Sequence, residues 1–566
     1  MHKNWKEKII SYGILVLVSI LVSIPLVNKN LDIYRDDGVQ HITRLMGTVQ
    51  TIMEGQFPPM IMSNFANGFG YSWNLFYSPV SAFVPLIFIL LGCSYMVSIK
   101  WFLFFMIFLS GITMYAFTKK VTKSNGVALI AGILYITMPY HLNDVYNRVA
   151  IAEVASFVFL PMVFHGLYKV LHKEKAYVLI VGAAGMILSH TVLTMYTAIM
   201  ALIYIIASFK EIDKTVIKKL AISAGVVLLL TSFYIEPMLE SKLMAEYEVF
   251  QPGRMSNLVE IQHEQNSLID NIAWLDWIYD KNNLMGSYSI NFICILGVLS
   301  TIFVVKKIKS LPYKTLYFTC LGLGTASLIM TLNIFPFEKL PEILKMLQFK
   351  FRMLEFVAIF FSFVAAVNLE LLLKNIKIKD VIVIGTMIVV LVIPLKERLV
   401  IKEDLILEEA YWPAIPVTEN TGRVHAGCAS FEYLPSKAFQ NMEYVVNRSN
   451  EPVVLEGKAN ISQVEKMGSK MSMLVQNSQG AVIELPYIYY IGYSVILENN
   501  GNRQVLKTKE SNKGFLQVEV PDTAMEVNLY VKYTGTLGMK TSYLVSFGTL
   551  AGMIIHVWMR RKKQHI

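Results

Sequence analysis

The sequence predicts a polytopic α-helical membrane protein that carries a β-rich domain near its C-terminus. Its 566 residues have a mean hydropathy of +0.49, and only 16% of them are charged, whereas about a quarter is usual in soluble proteins. Many apolar runs approach the roughly 20 residues that cross a bilayer. Between residues 396 and 540 these runs give way to alternating apolar and polar residues, which is the period of β-strands.

Twelve apolar runs are predicted to span the membrane. The first, Ile9–Val27, is too long for a signal peptide and lacks a small-residue cleavage site, so we expect it to remain, with the N-terminus in the cytoplasm. The others are predicted at about 101–118, 126–139, 153–170, 176–190, 192–208, 217–235, 288–305, 313–332, 353–372, 380–395 and 541–558. Lys and Arg cluster in the short gaps between the runs, which is the positive-inside pattern and not a nucleic-acid-binding patch.

A thirteenth apolar run, Val80–Leu91, is predicted to be a helix in the outer membrane interface. Pro85 interrupts it, and if it spanned the bilayer the basic tail Arg560–Lys563 would face outward. The predicted organisation is therefore a membrane domain at 1–395 with about eleven spans, an exoplasmic β-rich domain at 396–540, and a final span with a cytoplasmic tail at 541–566. Within the β-rich domain, Asn499-Asn500-Gly501 is a hairpin signal.

The candidate chemistry lies in the outer loops. Asp36 and Asp37 are adjacent carboxylates, so one of them is a candidate base or half of a cation site. If this stretch is helical, His41 shares a face with Asp37. A solvated acidic loop is the alternative. Trp73 and Tyr77 lie in an aromatic stretch that serves either as a membrane anchor or as a wall for a sugar or lipid headgroup.

Further candidates border later spans. Glu153 either pairs with a cation such as Arg148 or caps the helix that follows it. His190 falls at a predicted outer turn. Lys350 and Arg352 are positive charges on the outer side, and they are either snorkelling anchors or a site for an anionic phosphate. The sequence has no P-loop, GxGxxG or HExxH motif, so ATP-driven transport, dinucleotide chemistry and zinc proteolysis lack support. Four cysteines show no zinc spacing.

The outer-loop motifs together resemble a known family. They are Arg35-Asp36-Asp37 with His41-Ile42-Thr43-Arg44, Gly55-Gln56-Phe57-Pro58, Asn67-Gly68-Phe69-Gly70-Tyr71, Phe76-Tyr77-Ser78-Pro79, Pro139-Tyr140, Tyr146 with Arg148 and Ala152-Glu153, Ser189-His190, and Leu347-Gln348-Phe349 with Arg352. This set resembles the bacterial membrane proteins named 6-pyruvoyl-tetrahydropterin synthase-related, which look like GT-C class glycosyltransferases. The resemblance covers roughly residues 1–395. The segment Glu484–Ser494 is similar to the outer β-domain of related bacterial membrane proteins.

The resemblance implies a GT-C-like helical bundle that takes a sugar from a polyprenyl-phosphate donor on the outer face. The implied acceptor is a cell-wall polysaccharide, a teichoic acid, a glycolipid or a protein. Asp37 maps to the catalytic carboxylate, and because the chain has Asp36-Asp37 where the family often has His-Asp, Asp36 is a second candidate. Asp36 and Glu153 are also the expected ligands of a divalent cation, Mg²⁺ or Mn²⁺. The expected substrate-binding residues are His41, Trp73, Tyr77, Arg148, Glu153, His190, Lys350 and Arg352.

Two other functions fit the same sequence. A lipid-linked saccharide transporter or flippase would also have many spans, although transporters usually place ionisable groups near the midplane and show internal repeats. A non-catalytic membrane protein that binds polysaccharide through its β-rich domain is the second.

Overall fold

The computed structural model describes residues 2–28, 37–251, 288–373, 431–523 and 525–562. Contacts divide the chain into two compact units. The first comprises Met1–Gly38, Phe83–Leu228 and Met255–Ile406, and the second comprises Val39–Ala82, Leu229–Arg254 and Leu407–Ile566.

The first unit is helical. Its helices are α1 (His2–Asn28), most of α4 (Val80–Leu90), α5 (Tyr95–Thr122), α6 (Asn125–Ile136), α7 (Pro139–Tyr146), α8 (Ile151–Leu171), α9 (Tyr177–Ser189), α10 (Thr191–Ala207), the first part of α11 (Lys214–Met244), α12 (Phe292–Leu299), α13 (Thr301–Ile308), α14 (Lys314–Thr331), α15 (Glu342–Lys345) and α16 (Met353–Leu373). Helix α16 is buried from Met353 to Asn368 and packs against α6, α12 and α14. Its apolar side chains therefore form the centre of this unit's core.

Local sequence explains several helix boundaries. Ser94 and Ser124 cap α5 and α6 by accepting backbone hydrogen bonds through their side chains. Pro139 stands at the first position of α7, where its missing N–H costs nothing. The α6–α7 pair bends by 43° at this point, so α7 and the turn after it leave the line of α6.

Among the described residues, six helices are long and apolar enough to span a membrane, or seven if the bent α6–α7 pair is one span. They are α1, α5, α8, α11, the segment Lys350–Leu373 that contains α16, and the last helix of the chain, Leu537–Lys562. The predicted runs at 176–190 and 192–208 form shorter helices, and the predicted run at 380–395 lies outside the described residues. The predicted helix at Val80–Leu91 is present as α4, which has 11 residues.

The predicted span at 288–305 is two helices, α12 and α13, separated at Ser300. A side-chain amide stabilises this break, because Asn368 Nδ2 donates to Gly297 O and to Thr301 Oγ1, both at 2.9 Å. The apolar composition of the run gives no sign of this break, because Asn368, which stabilises it, lies far away in the chain.

The described residues of the second unit contain one antiparallel sheet. Its strands are β1 (Val453–Met467), β2 (Lys470–Ile488), β3 (Tyr493–Asn499), β4 (Asn502–Leu506), β5 (Thr508–Glu510), β6 (Phe515–Val520) and β7 (Val527–Tyr533), in the order β4-β3-β7-β2-β6-β5 with β1 paired to β2. The predicted hairpin is confirmed, because Asn499 pairs with Asn502 and the two turn residues have φ of 49° and 83°. The unit also holds α2 (Gly38–Met53), α3 (Trp73–Phe76), the end of α11, α17 (Ser436–Gln440), α18 (Met442–Asn447) and α19 (Leu537–Lys562).

Candidate functional site

A strained turn between α7 and α8 positions Arg148. Val149 has φ of 50°, in the left-handed region that a β-branched residue rarely adopts. The carbonyl of Arg148 accepts a hydrogen bond from the backbone N–H of Asp37 at 3.1 Å. The backbone at Asp37 is thereby joined to this turn. Backbone strain of the kind seen at Val149 is common at functional sites.

The side chain of Arg148 is the centre of a group of charges. Its Nη1 donates to Asp144 Oδ1 at 2.7 Å and to Glu153 Oε2 at 2.9 Å, and its Nη2 donates to Glu153 Oε1 at 3.0 Å. Asp37 Oδ2 lies 3.7 Å from Arg148 Nη2. The Arg148 side chain is 3% exposed, whereas that of Asp37 is 39% exposed. The cluster is therefore buried at its centre and accessible at Asp37.

Arg352 extends this group. It ends a short 3₁₀ turn before α16, and its Nε donates to Glu153 Oε1 at 2.8 Å. Its Nη1 donates to Leu347 O at 2.9 Å and to Gln348 Oε1 at 2.6 Å. Within the part of the chain that the structure describes, no hydrogen bond or ion pair joins its Nη2 to another residue. The five residues that these contacts connect are called the ion-pair cluster: Asp37, Asp144, Arg148, Glu153 and Arg352.

Two neutral side chains complete the surroundings of Glu153. Tyr140 donates its hydroxyl to Glu153 Oε2 at 2.6 Å. His190 Nδ1 accepts from Leu193 N at 3.4 Å, and its Nε2 lies 4.0 Å from Glu153 Oε1. Because Nδ1 accepts this hydrogen bond, the imidazole of His190 is in its neutral form. With Nδ1 acting as an acceptor, the proton of the neutral ring is on Nε2, on the side of Glu153.

The sequence singled out Asp37, Arg148, Glu153, His190 and Arg352, and the structure brings these five together. Asp36 lies outside the described residues. Lys350 is in the same turn as Arg352, with Nζ 5.9 Å from the centroid of the Phe337 ring.

The site residues expected from the sequence did not include Asp144, Tyr140, Gln348 or Glu355. The spacing of four residues between Asp144 and Arg148 was a usable signal. Glu355 is a fully buried carboxyl within a membrane-spanning helix, and Ser156 Oγ donates to it at 2.8 Å. An ionisable residue inside a span is itself a sign of a polar site.

Three predicted site residues, His41, Trp73 and Tyr77, belong to the second unit. The Trp73 and Tyr77 rings pack on the guanidinium of Arg44, 5.8 and 4.6 Å from their centroids, and the His41 ring lies 5.7 Å from that of Tyr77. Arg44 donates to Asn74 Oδ1 at 3.0 Å and is fully buried. Trp73 is 3% exposed, so its ring is packed among protein atoms.

The Asn67-Gly68-Phe69-Gly70 motif docks onto the β-rich part of the second unit. Each of its four consecutive carbonyl oxygens accepts a hydrogen bond. The donors, in chain order of the acceptors, are Asn450 Nδ2, Lys466 Nζ, Ile488 N and Tyr490 OH, at 3.3, 2.7, 2.9 and 3.2 Å. The motif therefore attaches the segment around residues 67–70 to the sheet and its flanking loops.

Glu153 does not fit the role of a divalent-cation ligand. Both of its carboxylate oxygens accept hydrogen bonds from guanidinium groups, and cations of the same sign as a metal ion surround it. The described residues contain no group of three or more His, Cys, Asp or Glu side chains arranged to hold a metal ion.

The sequence matches known proteins over most of its length. The family model described as 6-pyruvoyl-tetrahydropterin synthase related domain, membrane protein, matches residues 75–401, which is more than half of the chain. An uncharacterised protein of Lactococcus lactis subsp. cremoris (strain MG1363) is 24% identical, and the alignment covers 98% of this chain and 96% of that one. Among solved structures, the mycobacterial arabinofuranosyltransferase AftD aligns with a TM-score of 0.40 and 12% identity over 68% of this chain, which spans 27% of that protein. This chain belongs to the 6-pyruvoyl-tetrahydropterin synthase related family of membrane proteins.

Proposed function

We propose that this protein is an integral membrane glycosyltransferase of the GT-C type. It transfers a sugar from a polyprenyl-phosphate donor to a hydroxyl group of a cell-wall polysaccharide, teichoic acid, glycolipid or protein. The observation that carries the proposal is the ion-pair cluster, which combines an accessible carboxylate, Asp37, with a guanidinium amino group, Arg352 Nη2. A glycosyl transfer from a lipid phosphate needs one base and one cation, and these two groups have the required chemistry.

The proposed reaction takes place on the outer side of the plasma membrane. The basic residues in the short gaps between apolar runs support this orientation, with both termini in the cytoplasm and the β-rich domain outside.

Asp37 is the proposed base. The acceptor hydroxyl attacks the anomeric carbon of the donor sugar while its proton moves to the Asp37 carboxylate. The bond between the anomeric carbon and the phosphate oxygen breaks, and its electron pair stays on the phosphate. A single displacement inverts the anomeric centre. A positioned base of this kind contributes about 10²–10⁴ in rate.

Arg352 is the proposed cation for the leaving group. As the phosphate oxygen becomes negatively charged, the Nη2 group of Arg352 donates to it. A guanidinium that is already fixed in place needs little reorganisation, and preorganised charge of this kind is usually the largest catalytic contribution. The other side chains of the cluster hold these two groups.

The test is transfer by the purified full-length protein in lipid nanodiscs, supplied with defined polyprenyl-phosphate sugars and a glycan acceptor. The wild-type protein is expected to form a product of inverted configuration, and Asp37→Asn is expected to reduce turnover by at least about 100-fold. Asp213→Asn is the matched control, because Asp213 is 43% exposed and also pairs with a cation, Lys173. Asp36→Asn, measured in parallel, shows which carboxylate is the base.

Wild-type turnover in the Asp37→Asn protein would remove this residue from the role of base. Movement of the donor lipid between leaflets without transfer of its sugar would instead favour the flippase.

A further inference from the structure

We infer that Glu153 is a positioning residue: it holds the guanidinium of Arg352 so that the Nη2 amino group of Arg352 is available to the donor phosphate. This inference rests on the proposed function and adds a role that the family resemblance does not imply. It replaces the direct substrate or metal contact that the sequence suggested for Glu153.

The hydrogen-bonding capacity of Glu153 is already in use. Oε1 accepts from Arg148 Nη2 at 3.0 Å and from Arg352 Nε at 2.8 Å. Oε2 accepts from Arg148 Nη1 at 2.9 Å and from Tyr140 OH at 2.6 Å. A carboxylate has about four acceptor sites, and the side chain is 2% exposed. A sugar hydroxyl has no acceptor position left on this group, so Glu153 acts on the residues around it.

Arg352 is fixed at three of its five N–H groups. Nε–H donates to Glu153, and the two hydrogens of Nη1 are donated to Leu347 O and Gln348 Oε1. Gln348 has φ of 63°, so the backbone that supplies these acceptors is itself in a rarely adopted conformation. Because the guanidinium is planar and rigid, fixing Nε and Nη1 also fixes the direction of the Nη2 hydrogens.

Arg148 has a different role from Arg352. It binds Glu153 through two parallel hydrogen bonds and binds Asp144 at 2.7 Å. These contacts attach Arg148 to two buried carboxyl groups, those of Asp144 and Glu153. Arg148 therefore holds Glu153, and Glu153 in turn holds Arg352.

A neutral amide at position 153 disrupts this arrangement. Glu153→Gln keeps the size of the side chain but replaces one acceptor oxygen by an NH₂ donor, which then faces N–H donors of Arg148 or Arg352. The Nε–H of Arg352 loses its carboxylate, and the guanidinium is no longer fixed. A charge-assisted hydrogen bond to a phosphate depends on this geometry, so we expect the phosphate to lose most of its contribution to binding.

The test compares the binding of farnesyl phosphate with that of farnesol, which lacks the phosphate, to the full-length protein in nanodiscs. The ratio of the two Kd values isolates the contribution of the phosphate. We expect this ratio to be at least about tenfold in the wild-type protein and to fall to between one and about twofold in Glu153→Gln, with unchanged farnesol binding. Arg352→Gln should give the same low ratio, and the double variant should lower it no further. Glu342→Gln, at an exposed carboxylate of the same unit, should keep the wild-type ratio.

A merely structural role for Glu153 predicts that both ligands lose affinity equally, and that outcome overturns the inference. A wild-type ratio that persists in Glu153→Gln also overturns it. A ratio near one in the wild-type protein would instead remove the lipid-phosphate donor from the proposed function, and the inference with it.

Discussion

Replacing Lys466 by Met tests whether the Asn67–Gly70 motif depends on this lysine for its attachment to the β-rich part of the second unit. The Lys466 ammonium donates to Gly68 O at 2.7 Å, to Pro486 O at 2.9 Å and to Asn450 Oδ1 at 2.6 Å. It also lies 4.8 Å from the centroid of the Tyr487 ring. Methionine keeps an unbranched apolar stem against this ring but removes all three donors.

The size of the effect follows from these contacts. A hydrogen bond to a charged group contributes about 1.5–3 kcal/mol to the free energy of unfolding. The loss of the ammonium leaves two main-chain carbonyls without this donor, and because Lys466 is only half-buried, water replaces part of the interaction. We expect Lys466→Met to reduce the stability of the second unit by about 2–4 kcal/mol, and the unfolding temperature by about 5–15 °C.

Two measurements on the full-length protein in detergent check this prediction. Thermal unfolding gives the change in stability, and hydrogen exchange of peptides covering residues 60–72 reports on the docked loop itself. Exchange in that segment should become faster, because its attachment is lost. Lys458→Met is the control, since Lys458 is an exposed lysine of the same strand, β1. If Lys466→Met matched the control in both measurements, the docking of the Asn67–Gly70 motif would not depend on this lysine and the reasoning would be refuted.

Three further substitutions test the packing. Arg44→Met removes a fully buried guanidinium with four hydrogen bonds and should lower the free energy of unfolding by more than about 3 kcal/mol. The control, Arg503→Met, changes a side chain that is 71% exposed and should have little effect. Equal unfolding temperatures of the two variants would contradict this prediction. Gly166→Ala would bring a Cβ atom to 2.3 Å from the backbone of Leu179. Helices α8 and α9 must then separate, which should lower the free energy of unfolding by about 1–3 kcal/mol. An unchanged unfolding temperature would show that the two helices are not in close contact at this glycine. Gly501→Val places a β-branched residue at φ of +83° and should lower the free energy of unfolding by about 1–2 kcal/mol. The same thermal unfolding measures this change, and an unchanged unfolding temperature would contradict the assignment of this turn.

Much of the fold could be predicted from the sequence because its signals are local. Alternation with a period of two located β6 and β7 at Phe515–Val520 and Val527–Tyr533. The Asn500-Gly501 turn fixed the register of β3 and β4. The break in the predicted span at 288–305 was not predictable in this way. It depends on Asn368, which is a long-range partner.

The candidate site was predictable in part for the same reason. Charged residues at the edges of apolar runs stand out, and this signal selected Asp37, Arg148, Glu153 and Arg352. Their pairing is a tertiary property, because Glu153 and Arg352 are 199 residues apart in the chain. The role of Trp73 also depends on a partner, Arg44, which the aromatic pattern alone does not indicate.

An experimental structure of the full-length protein with a bound polyprenyl-phosphate sugar would show directly whether the ion-pair cluster binds a phosphate-linked sugar. We expect a phosphate oxygen within about 3 Å of Arg352 Nη2 and an acceptor hydroxyl position within hydrogen-bonding reach of the Asp37 carboxylate. A phosphate bound away from Arg352, with its sugar out of reach of Asp37, would contradict this expectation.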